Sequence, residues 1–70
     1  MLAEEEMLAA LFAGKTVADQ KALLAQLERA GARLYRAWAA SEPNPRTKAA
    51  LLAAAEREEQ NARVLEEPGP

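Results

Sequence analysis

The 70-residue chain contains neither His nor Cys. That removes the commonest general base, the commonest transition-metal ligand and the thiolate nucleophile together. Ser41 is the sole serine and has no imidazole to activate it, so acyl transfer is excluded. What remains is carboxylate chemistry. Glu58 stands between Ala55 and Ala62 at a position whose spacing calls for an apolar side chain. A carboxylate buried without a partner costs several kcal/mol, and protonation, an ion pair or a metal ion relieves that cost. Glu28, thirty residues earlier, borders the apolar stripe of its own segment. Tyr35 follows two turns later on the same face, with a hydroxyl able to bond a carboxylate. Two readings of Glu58 stay open at this point. It faces inward and does chemistry, or it reaches out to solvent or to Arg29, Arg33 or Arg57.

Positioning these groups takes long helices, and the composition supplies them. Eighteen residues are Ala and ten are Leu, with two Val and no Ile, a helix-forming mixture poor in strand formers. The periodicity predicts a short first helix from about Leu2 to Ala13, with Leu8, Leu11 and Phe12 on one face. Glu4, Glu5 and Glu6 favour its amino end, and Gly14 closes it. Thr16 reads as an N-cap, with Asp19 three positions on as a variant capping box, and a second helix follows from Val17 to about Ala40. Ser41-Glu42-Pro43-Asn44-Pro45 breaks it as a five-residue connection. The third helix is expected from Arg46 or Thr47 to about Glu67, with Pro68-Gly69-Pro70 as a frayed tail. The expectation is therefore one all-α domain over residues 1–70.

A heptad seam is legible in the second helix at Val17, Leu24, Leu27, Gly31, Leu34 and Trp38, and in the third at Leu51, Ala55, Glu58, Ala62 and Leu65. A short connection makes these helices antiparallel neighbours, with Gly31 and the alanines allowing close approach. Trp38 and Phe12 are expected in the core, and the other charges, including Glu59 and Arg63 at i,i+4, on a solvated face. Only seventeen side chains are apolar and larger than Ala, and no disulfide or thiolate-held metal staples the fold. One seam in so small a chain buries too little, so the hairpin is expected to self-associate, most simply as two hairpins in a four-helix bundle.

The balance of nine basic and eleven acidic residues gives a net charge of −2, which argues against a nucleic-acid partner. No run is apolar enough to span a membrane, and the acidic start is the reverse of a secretory leader, so a cytoplasmic location is the expectation. Gly14-Lys15-Thr16 matches the end of a phosphate-binding loop. However, position 9 is Ala where that motif needs Gly, and no strand precedes it.

The stretch from Leu27 to Tyr35, with Glu28 followed seven residues later by Tyr35, resembles the first ligand helix of the rubrerythrin and ferritin-like proteins. The stretch from Ala55 to Leu65 resembles the second, whose core is Glu-x-x-His followed by Ala and Leu. The likeness covers roughly Leu23 to Leu65, and in layout the chain is similar to the two-helix encapsulated ferritins, which complete a four-helix bundle by dimerising. The resemblance implies that Glu28 and Glu58 match metal-binding glutamates and that Tyr35 matches a supporting tyrosine. Asn61 falls where the family has its His ligand. A neutral amide oxygen does not replace imidazole for iron, and an all-oxygen set suits Mg²⁺, Ca²⁺ or Mn²⁺ better than Fe²⁺. The resemblance thus implies a degenerate, non-catalytic relative with a divalent ion at the dimer interface. The alternative is a structural or adaptor bundle that binds another polypeptide. An iron oxidase is the least expected, and the carboxy-terminal targeting peptide of encapsulated ferritins has no counterpart in Glu66 to Pro70.

Overall fold

The computed structural model describes residues 3–68 and contains three helices: α1 (Glu4–Phe12), α2 (Val17–Ser41) and α3 (Pro45–Glu66). Among the described residues there is no strand, and no helix is long and apolar enough to cross a membrane. The expected starts at Leu2 and the end of the tail at Gly69-Pro70 lie outside the described residues.

Local chemistry sets each boundary. Gly14 takes φ +73° just past α1, a conformation that glycine adopts without a Cβ penalty. Thr16 caps α2, its hydroxyl accepting from the Asp19 amide at 3.1 Å. At the other end the connection is shorter than the sequence suggests. α2 runs on to Ser41, and Pro45 opens α3 as its first residue, leaving only Glu42–Asn44 between them. Proline breaks a helix interior, but at the first position its missing N–H is not needed and its φ is already helical. Asn44 Oδ1 accepts from the amides of Arg46 and Thr47 at 2.9 and 3.1 Å, which fixes the start.

α2 and α3 lie antiparallel along their lengths, while α1 touches them only sparsely. The residues that join them are not the leucines. Among the described residues the buried hydrophobic ones are Ala25, Ala32 and Ala39 on α2 and Ala55 and Ala62 on α3, each series spaced by seven. Counted outward from the turn, Ala32 stands level with Ala55 and Ala25 with Ala62. The α3 seam is as expected, with Leu51, Glu58 and Leu65 half-buried beside the alanines. The expected α2 seam is corrected. Leu24, Leu27, Leu34, Trp38 and Val17 are all exposed, Trp38 by 54% and Val17 by 68%, and only Gly31 of that series is half-buried. Trp38 is therefore not core within one chain, and Phe12 is half-buried. Two helices meet most closely through methyl side chains that lose no rotamer freedom, so the alanine row wins the contact and turns the leucine row aside.

The molecule is flat, with extents of 43 × 38 × 13 Å. A compact monomer of 7.6 kDa exposes roughly 4,300 Å². This chain exposes 5456 Å², so its surplus is on the order of 1,200 Å².

Candidate functional site

The hairpin has two unlike broad faces. With about 100° per residue, Leu24, Leu27, Gly31, Leu34 and Trp38 turn to one side of the direction in which Ala32 meets α3, whereas Arg29 and Arg36 turn to the other. α3 divides in the same sense. Arg29 forks onto Glu66, with Nη2 to Oε1 at 2.6 Å, and Arg36 Nη1 reaches Glu59 Oε1 at 2.6 Å. Both arginines and both glutamates are spaced by seven, so the ion pairs form a ladder on the charged face at the same period as the alanine seam. Hydrogen bonding from Arg36 holds the Glu59 carboxyl below its ordinary range, and the Arg29 guanidinium does the same for Glu66. The expected Glu59–Arg63 pair is replaced. Glu59 serves Arg36, and Arg63 donates to Gln60.

The sequence-derived site residues lie on the other, apolar face. Glu58 is half-buried, and its side chain occupies the space over Gly31. A Cβ placed on Gly31 would lie 3.5 Å from Glu58 Oε2, 3.6 Å from Cδ and 3.8 Å from Cγ. The Glu58 carboxylate, rather than neighbouring backbone, is what a side chain at Gly31 would meet, and at ordinary contact distances. Among the described residues Glu58 has no ion pair, and Arg29, one of its three candidate partners, is committed to Glu66. Glu28 is half-buried one turn before Gly31. It lines a shallow groove of about 300 Å³ with Leu24, Asn61, Val64 and Leu65. The structure therefore puts Glu28 and Asn61 in one groove and Glu58 on the adjoining turn of the same face. Tyr35 stands edge-on to Trp38, with ring centroids 5.7 Å apart at 82°. Among the described residues its hydroxyl has no hydrogen bond to Glu28 or Glu58, so the supporting contact expected of it is not made within one chain.

These donors are all oxygen, two carboxylates and an amide, and they suit a hard divalent cation. Among the described residues of one chain no three acidic side chains gather closely enough to hold a metal ion. The alanine row of α2, Ala25, Ala32 and Ala39, and the ion ladder escaped the sequence reading, although their strict period of seven was the signal that could have found them. No family model, curated protein or solved structure matches this chain.

Proposed function

We propose that this chain is a small ferritin-like protein that stacks two copies by their apolar faces into a four-helix bundle. Glu28 and Glu58 of both chains, with Asn61, bind a divalent cation there, without oxidase chemistry. The observation that carries the reading is the Glu58 carboxylate, laid over Gly31 on a face that leaves Leu24, Leu27, Leu34 and Trp38 exposed. The surplus area supports the pairing, since a stable interface takes about 600–1,000 Å² from each partner. Stacking would bring four carboxylates together, and like charges so close cannot all stay ionised without a cation. The oxygen donors favour Mn²⁺, Mg²⁺ or Ca²⁺ over Fe²⁺, and the absence of His from the sequence argues against iron oxidation.

A second reading, a structural or adaptor bundle with no ion, is favoured by one observation. Within one chain no three acidic side chains cluster among the described residues. Calorimetric titration of Mn²⁺ into chelator-stripped protein separates the two. Binding heat that disappears in Glu58→Ala and Glu28→Ala supports the ion site, and no heat from the unaltered protein supports the adaptor. Oxygen consumption on adding Fe²⁺ would instead assign an oxidase.

A further inference from the structure

Helix α1 and the open end of the hairpin each have an apolar surface left over. Met7, Leu8 and Leu11 are 40–53% exposed along one side of α1, and no residue of that helix is buried. Nine residues are too few for a stable helix in water, where roughly 12–15 are marginal, so α1 needs a surface to lie on. At the open end, Val17, Ala18 and Ala22 of α2 face Leu65 and Pro68 across a groove of about 460 Å³, with Lys21, Glu66 and Glu67 at its charged margin. That volume falls within the range of about 300–1,000 Å³ typical of sites that take a ligand. No residue of α1 lines it.

The joint between them is stiff. Gly14 turns the chain at φ +73°, and the Lys15 amide donates to the Phe12 carbonyl at 3.2 Å. Gln20 Nε2 donates to the carbonyls of Phe12 and Lys15 at 3.4 and 3.1 Å, and Thr16 caps α2 directly afterwards. α1 lies outside the groove beside Val17, and the Gly14 turn with the Lys15 and Gln20 bonds sets its direction. An arm and a groove carried on one chain but separated by a hydrogen-bonded turn can meet between copies.

We propose that α1 is an exchanged arm, whose Met7, Leu8 and Leu11 side seats in the open-end groove of a second copy of this chain. The arm would cover Val17, 68% exposed at the open end, and it needs no ion. About 14 Å of helix exceeds the 8–10 Å between neighbouring helix axes, so an arm of this length spans from one hairpin to the next.

Native cysteine is absent, so single thiols report the contact cleanly. Leu8→Cys chains are mixed with tagged Ala22→Cys chains in chelator and allowed to oxidise, with Glu56→Cys on the charged side as the control position. The proposal expects mixed disulfides well above the control, and inter-chain products from the double variant. Products within one chain, or yields equal to the control, overturn it. In parallel, Leu8→Glu with Leu11→Glu should weaken self-association in sedimentation equilibrium on the order of a hundredfold while the hairpin stays helical. Unchanged association also overturns the arm. Because chelator is present throughout, failure of the arm and failure of the ion site are separate results.

Discussion

Replacing Gly31 with alanine should make the protein more stable, although glycine in a helix contact is often read as indispensable. Gly31 sits in the middle of α2, where glycine costs about 0.8–1.0 kcal/mol relative to alanine. The new methyl would meet Glu58 at 3.5–3.8 Å, ordinary contact distances, and its nearest neighbours belong to one flexible side chain. No overpacking term offsets the propensity gain, so about 0.5–1 kcal/mol should survive, or about 2 to 8 °C in melting temperature for a domain of this size. Thermal unfolding followed by circular dichroism, at one fixed protein concentration for both proteins, measures it. The gain arises in the backbone of the unfolded chain, so it should persist in the Glu58→Ala background. A lower melting temperature would show that a neighbour from outside the hairpin, the stacked second copy included, approaches Gly31 more closely than Glu58 does, and that the contacts within one chain do not decide the substitution.

Ala32→Leu places a large side chain opposite Ala55 in the alanine seam, where both residues are fully or almost fully buried. It should cost about 1–3 kcal/mol in urea unfolding, whereas a cost below a few tenths would show that the seam is loose. Asn44→Ala removes the acceptor of two amide hydrogen bonds and should cost about 1 kcal/mol by the same measurement. Acid should loosen the hairpin. The Glu59 and Glu66 carboxyls titrate lower folded than unfolded, so their stabilisation is present above the ordinary carboxylate pKa of 4.5 and is lost as pH falls below it through the folded values. Glu59→Gln with Glu66→Gln should flatten that acid limb of a pH-melting curve, and an unchanged limb would show that the ladder does not stabilise the fold.

Helix number, the cap at Thr16 and the closing Gly14 were legible because each depends on neighbours in sequence. The start at Pro45 was misplaced because proline's preference inverts between the interior and the first position of a helix, and Asn44 decides which applies. The α2 seam was misread for a physical reason. Two apolar rows share that helix, one of leucines and one of alanines, and hydrophobicity alone ranks the leucines first. Close approach between two helices ranks the alanines first, and it is the leucines that are left for another surface. Glu58 was legible as the acid in an apolar row. Its neighbour was not, because only the fold shows that the Glu58 side chain lies over Gly31.

Trp38 is the chain's single tryptophan, it lies on the apolar face, and it is 54% exposed in one chain. Its emission maximum, followed by dilution alongside sedimentation equilibrium, tests directly whether that face closes on a second copy. Blue-shifted emission is expected where the protein is associated, moving to the red in step with dissociation. Red emission from a folded protein at every concentration would contradict it.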